Sequence, residues 1–279
     1  MRFVSFQYQH KYCWGAIDDD NVIELSYLAP CLKSAISKSI LPTSIADIEN
    51  KETVLAFRDL SLLPPIPDPK RILCVGQNYV AHRDEMDGKA TARPLIFTRY
   101  PSSLVAHNDN LIKPAESEQF DYEGELAVII GKTGRRISAE HALNYIAGYS
   151  CFMDGSMRDY QYHTTQYIPG KNFDNSGSFG PWMVSADEIP DPGAGLSLQT
   201  RLNDKVVQQT TTDLMIFDIP TVIAYLSTFT TLEPGDVIAS GTPGGVGYRR
   251  DPQLFMKPGD KIEVEVEAVA TLTNIIDKE

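Results

Sequence analysis

Apolar and polar positions along this chain follow a two-residue rhythm more often than a helical one. In 261–270, Ile262, Val264 and Val266 alternate with Glu263, Glu265 and Glu267, which predicts a strand packed on one face and wet on the other. Short apolar runs at 2–8, 22–25, 71–76, 95–98, 126–130, 147–153 and 236–240 also read as strands. Helical spacing is rarer. It predicts helices at 79–88, 155–163 and 218–229, the last on Ile219, Val222, Ile223 and Leu226. Glu233-Pro234-Gly235-Asp236 and Lys257-Pro258-Gly259-Asp260 each place Pro and Gly at the centre of a type II turn before a strand.

Pro64, Pro65, Pro67 and Pro69 interrupt this pattern, because prolines so dense suit neither a helix nor a central strand. They predict an extended linker at 64–69 between a small N-terminal α/β domain, 1–63, and a main domain, 70–279. The class expected is α+β, rich in strands. A chain of 279 residues is long enough for this arrangement.

Net charge narrows the partners. With 25 Lys and Arg against 37 Asp and Glu, the formal charge is -12, which disfavours nucleic acid and anionic membranes. No apolar run reaches the 18 residues of a membrane span, and the start of the chain lacks a basic segment followed by an apolar one. Cys13, Cys31, Cys74 and Cys151 form no zinc-ligand spacing and are expected as free thiols. The expected setting is the cytoplasm.

Candidate chemistry begins at Asp121-Tyr122-Glu123-Gly124-Glu125 before the apolar run 126–130. Side chains two apart on a strand share a face, so Glu123 and Glu125 project together. Crowded carboxylates entering a buried strand call for a compensating cation. Asp154 ends the run 147–153 and joins them if the two strands pair. Three oxygen ligands favour Mg²⁺, with Mn²⁺ or Ca²⁺ as alternatives, over zinc. Spacing alone leaves a second reading open, in which Glu123 and Glu125 mark a solvated edge and Asp154 caps the next helix.

His82 and Glu85, three apart in a predicted helix, share one face, so the carboxylate can orient the imidazole for proton transfer. The same spacing also describes an ordinary surface pair. The polar stretch 82–93, with Gly88, has the composition of a lid or of a plain exposed loop. Arg158 and Gln161 lie one turn apart after Asp154, where a guanidinium suits a substrate carboxylate. The glycine-rich 241–247 lacks both nucleotide fingerprints.

Several segments in order resemble the fumarylacetoacetate hydrolase family. They are 75–82 (Val-Gly-Gln-Asn-Tyr-Val-Ala-His) with Glu85, 94–97 (Pro-Leu-Ile-Phe), 121–132, Gly148-Tyr149, Asp154 with Arg158-Asp159, Gly170-Lys171 with Asp174, 180–182 (Gly-Pro-Trp), and 232–238 running into 241–247. The resemblance, over about 70–276, implies a mixed β-roll main domain, commonly dimeric, with Mg²⁺ or Mn²⁺ on Glu123, Glu125 and Asp154. It also implies catalytic roles for His82, Glu85 and Lys171, and a carboxylate site at Thr242. Arg99 stands where the family usually shows Lys and is expected, with Arg158 and Gln161, at the substrate.

Hydrolysis of a carbon–carbon bond in a 1,3-dicarbonyl acid is the reaction expected first, with fumarylpyruvate or maleylpyruvate as examples and pyruvate as product. The family also holds oxaloacetate-type decarboxylases and keto–enol or double-bond isomerases, and a metal-dependent oxo-acid binder without catalysis is the reading of another class. All take a small anionic 2-oxo acid. A homodimer is the expected assembly.

Overall fold

A computed structural model describes all 279 residues. Its largest sheet has twelve strands, and the path through it runs Val54–Ala56, Asn21–Glu24, Lys11–Asp18, Arg2–Tyr8, Gly177–Ser185, Ile146–Met153, Gly124–Ile130, Val237–Ala239, Ile72–Gly76, Leu95–Thr98. Most neighbours are antiparallel, while Val237–Ala239 runs parallel to Ile72–Gly76. A second sheet of five strands runs Lys205–Thr211, Ser197–Leu202, Lys261–Val266, Ala270–Lys278, Asn110–Lys113. Strands thus dominate a mixed architecture with few helices, as the alternation predicts.

Gly124–Ile130 lies at the centre because both of its faces are apolar. Leu126, Val128 and Ile130 enter a core shared with Leu198, Val264 and Leu272 of the second sheet. Ala127 and Ile129, on the other face, enter a separate core with Phe152, Phe179 and Met183. At Gly124 the second sheet packs closely, since a Cβ there would collide with Thr200 Oγ1.

Residues 1–63 build five strands and a helix at Leu32–Ser37, and they extend the main sheet through Phe3 paired with Met183. Phe3 and Trp14 sit in the same core as Ala127 and Phe152. The prolines at 64–69 carry the chain between these parts, with Ile66 buried and Pro65 O accepting from Ser5 Oγ at 2.8 Å.

Three expectations need correction. The strand expected over 261–270 stops at Val266, turns through Ala268 at φ 60°, and returns as Ala270–Lys278, so it is half of a hairpin. Its glutamates do face outward, where Glu263 and Glu265 meet Arg201 at 3.3 and 2.5 Å. The helix expected over 155–163 shrinks to Arg158–Gln161, because Ser156–Met157 pairs with Phe120–Asp121. The helix expected over 79–88 is confined to Val80–Glu85, after which Asp87 takes φ 55°. By contrast Ile219–Phe229 forms nearly as predicted, capped by Asp218, whose side chain accepts from Thr221 N–H at 2.8 Å. No helix is long and apolar enough to cross a membrane.

Because the two parts share a sheet and a core, they are expected to unfold together. Phe152→Ala should lower stability by about 3–5 kcal/mol. Urea unfolding followed through Trp14 alone and through Trp182 alone should show the same shifted midpoint. Separate midpoints would mean that residues 1–63 melt independently.

Candidate active site

The strand Gly124–Ile130 pairs with Ile146–Met153 so that Gly124 faces Met153, and Asp154 N–H donates to Glu123 O at 2.8 Å. That register brings the ends of the two strands together. Ligand oxygens of Glu123, Glu125 and Asp154 all lie within 4.8 Å of one another, and all three residues are buried. The shared-face spacing and the strand pairing therefore have their expected geometric consequence.

Three cations surround this cluster. Lys171 Nζ lies 2.6 Å from Glu123 Oε2 and 2.7 Å from Asp154 Oδ2. Arg158 Nη2 lies 2.6 Å from Glu123 Oε1, off the line of a hydrogen bond, and its Nε donates to Asp121 Oδ2 at 2.8 Å. Arg99 Nη1 donates to Asp154 Oδ1 at 2.6 Å. Pairing on this scale is what makes four buried carboxylates tolerable at all.

The compensation is uneven. Burial acts to raise the Glu123 carboxyl, but Lys171 and Arg158 outweigh it and hold that group well below the ordinary carboxylate range. Burial likewise acts to lower Lys171, and Asp154 and Glu123 more than reverse it. Glu125 has no such partner: its Oε2 accepts only the Gly241 N–H, at 2.8 Å. Burial, then repulsion from Asp154 and Glu123, push its pKa well above the ordinary value. The cluster thus retains one buried carboxylate with no protein cation, among hard oxygen donors, which is chemistry that a divalent ion fits.

A cavity of about 210 Å³ opens onto the cluster and is lined by Glu123, Glu125, Arg158, Gln161, Lys171, Thr242 and His82, with Phe97 and Tyr167 at one side. His82 reaches it from the helix Val80–Glu85, its Nδ1 lying 2.8 Å from Glu85 Oε1. The second Glu85 oxygen accepts from Gly245 N–H at 2.9 Å, and Arg249 Nη2 donates to Asp87 at 2.7 Å. The segment expected as a lid or loop is therefore tied to the glycine-rich stretch. Thr242 Oγ1 donates to Gly124 O at 3.0 Å and accepts from Gln208 Nε2 at 2.9 Å.

Eight of the ten residues singled out from the sequence meet at the cavity or in the acidic cluster; Glu85 stands outside the lining, bonded to His82, and Arg99 does not line the cavity. It is buried behind Asp154, where its fork also meets Gly155 O at 2.8 Å, Ser176 Oγ at 2.8 Å and Ser103 Oγ at 3.1 Å. With those partners it supports Asp154, and the contact with substrate expected of it is displaced to one with that carboxylate. Gln161 Oε1 accepts from Arg158 Nη1 at 2.8 Å.

Two further residues shape the site without having been singled out. Asp121 pairs with Arg158 and accepts the N–H groups of Gly247 and Tyr248 at 2.8 and 2.9 Å. Its position two residues before Glu123 was the available signal. Gln208 arrives from the second sheet, accepts from Gly124 N–H at 3.0 Å and donates to Pro243 O at 2.9 Å. Nothing local in the sequence marks it.

Known proteins share both the sequence and the shape of this chain. Residues 71–277 match the family model for the C-terminal region of fumarylacetoacetate (FAA) hydrolase. The mitochondrial oxaloacetate tautomerase fahd2 of Xenopus laevis is 37% identical over 265 residues, covering 92% of this chain and 83% of the relative. The human mitochondrial oxaloacetate tautomerase FAHD2A is 39% identical over 223 residues, 79% of this chain and 71% of the relative. The structure of fumarylacetoacetate hydrolase from Exiguobacterium antarcticum superposes with a TM-score of 0.88 at 34% identity, covering 100% of both chains. Maleylpyruvate hydrolase from Sphingobium sp. SYK-6, solved with manganese(II) and pyruvate, superposes with a TM-score of 0.82 at 26% identity, over 100% of this chain and 99% of that one. On the length and identity of these matches, this chain belongs to the fumarylacetoacetate hydrolase family of enzymes.

Proposed function

We propose that the protein interconverts the keto and enol forms of oxaloacetate or a similarly small 2-oxo dicarboxylate. The observation that carries this reading is that His82, bonded to Glu85, lines the same cavity as Glu123, Glu125 and Lys171, with Asp154 beside those carboxylates. Tautomerisation needs one proton carrier facing a bound oxo acid, whereas hydrolysis also needs room for an attacking water beside an acyl group. The cavity, at about 210 Å³, falls below the ~300–1,000 Å³ common for larger ligands. The relatives named as oxaloacetate tautomerases are also more similar in sequence than the maleylpyruvate hydrolase.

In this reading Glu123, Glu125 and Asp154 would hold a hard divalent cation, Mg²⁺ first, with Mn²⁺ or Ca²⁺ as alternatives. When bound, the ion supplies Lewis acidity that polarises the 2-oxo group. The protein's own groups do the rest. Glu85 holds Nδ1–H of His82, which leaves Nε2 to take the C3 proton of the keto acid, and Glu85 then balances the imidazolium. Lys171 steadies negative charge on the 2-oxygen, and returning the proton there yields the enol. Arg158 and Thr242 receive the carboxylates, Gln161 orients Arg158, and Arg99 acts through Asp154.

Hydrolysis of an acylpyruvate is a second reading, favoured by one observation: the superposed maleylpyruvate hydrolase was solved with pyruvate, the product such a reaction releases. We take a homodimer as the assembly, since the edge strand Lys205–Thr211 leaves Val206 exposed. A cytoplasmic setting suits the four free thiols.

The reaction is decided by supplying oxaloacetate and acylpyruvates with Mg²⁺ and following enol absorbance, CO₂, and pyruvate plus carboxylic acid separately. Rapid loss of the enol signal without CO₂ is expected; pyruvate release from acylpyruvates alone would transfer the assignment to hydrolysis. His82→Ala should lower kcat/KM by roughly 10²–10⁴-fold while leaving divalent-ion affinity unchanged.

The cation reading makes its own forecast. Glu125→Gln should abolish Mg²⁺ binding by calorimetry and its stabilising effect on melting, yet leave the metal-free protein as stable as before or more so. Glu123→Gln should destabilise the metal-free protein by about 3–5 kcal/mol, because Arg158 and Lys171 each lose one of their two buried carboxylate partners. Retained Mg²⁺ binding in Glu125→Gln would remove this assignment.

A further inference from the structure

Beside the polar cavity lies an apolar cleft of about 400 Å³, lined by Leu73, Leu95, Ile96, Ile168 and Phe229 among others. Two residues, Phe97 and Tyr167, line both spaces. Their rings meet edge to face, with centroids 5.7 Å apart and planes at 75°, a favourable aromatic geometry. Phe97 is held on the strand Leu95–Thr98 opposite Cys74. Tyr167 immediately precedes the helix Ile168–Lys171 that delivers the ammonium group to the site.

The two sides of this wall differ in chemistry. On the cavity side, Lys171 Nζ stands 5.1 Å from the Phe97 ring centroid, over a ring that faces charge. On the cleft side no charged side chain contributes to the lining. A second carboxylate gains nothing there, whereas a hydrocarbon chain does.

We propose that the Phe97–Tyr167 ring pair is a partition that sets the length of substrate this enzyme accepts, by closing the 2-oxo acid cavity off from a cleft shaped for an alkyl chain. This rests on the reading of the cavity as a 2-oxo acid site and deepens it: the wall confines the enzyme to short acids such as C4 dicarboxylates. Removing the Tyr167 ring joins the two spaces, and the chain of a longer 2-oxo acid then extends from the cavity into the cleft. Phe97 is the less useful residue to change, since its ring also supports Lys171.

The test is calorimetric binding of straight-chain 2-oxo acids, from pyruvate to 2-oxooctanoate, to Mg²⁺-loaded protein; these acids offer no 1,3-dicarbonyl bond to cleave. Wild-type protein should bind pyruvate and lose affinity as the chain lengthens. Tyr167→Ala should keep pyruvate affinity within about twofold and gain roughly twofold to fourfold per added methylene. Tyr167→Phe, which keeps the ring, should behave as wild type, and Tyr167→Val provides a second opening should the alanine variant fail to fold. The partition is overturned if both opened variants lose affinity with length as wild type does, or if wild type already gains with each methylene. Failure of wild type to bind pyruvate or oxaloacetate would instead overturn the proposed function, and the partition with it.

Discussion

Everything at this site depends on how buried charge is balanced around one strand. Glu123 and Glu125 lead into a segment whose faces are both taken up by apolar cores, so their carboxylates are largely withdrawn from bulk water and reach it only through the small cavity. Taking such groups out of water costs several kcal/mol each unless partners replace the lost hydration. Arg99, Arg158 and Lys171 are those partners, and each comes from a different part of the chain. The position of the strand therefore dictates which distant residues must be cationic, and where.

Uneven compensation gives the cluster its chemical character. Glu123 and Asp154 each touch protein cations, while Glu125 has only a backbone amide. A fully compensated cluster would be a structural ion network with nothing left to bind. An uncompensated one would resist burial. The intermediate state suits a reversible cation site, and placing it at the mouth of a small cavity suits it to a substrate that is itself an anion, despite the negative charge of the whole chain.

How much of this was legible beforehand follows from the range over which each signal acts. The faces of 126–130, the spacing of Glu123 and Glu125, and the helix Ile219–Phe229 are local periodicities, and they appear in the structure much as the residues imply. Gly177–Ser185 was not anticipated as a strand. A Cβ at Gly177 would meet Arg99 Nη2 at 2.7 Å, so a small residue is required where the buried guanidinium passes. Arg99 itself was expected at the substrate because its sequence neighbours say nothing of Ser103 and Ser176, which close around its fork. Gln208 is 84 residues from Gly124 in sequence, and only the stacking of two sheets brings them together. The meeting of elements distant in the chain was accessible mainly through the ordered family motifs.

Leu95–Thr98 is the last strand of the large sheet, with a neighbour on one side only. The site wall at Phe97 thus stands on a strand with one free edge, whereas Gly124–Ile130 has a paired neighbour on each side. Divergence in such a protein has an uneven landscape. Drift at the rim alters which molecules are admitted at little cost to folding, while the acidic centre is locked in by two cores at once. A lineage built on this plan can exchange substrates over time and still carry the same acidic centre unchanged.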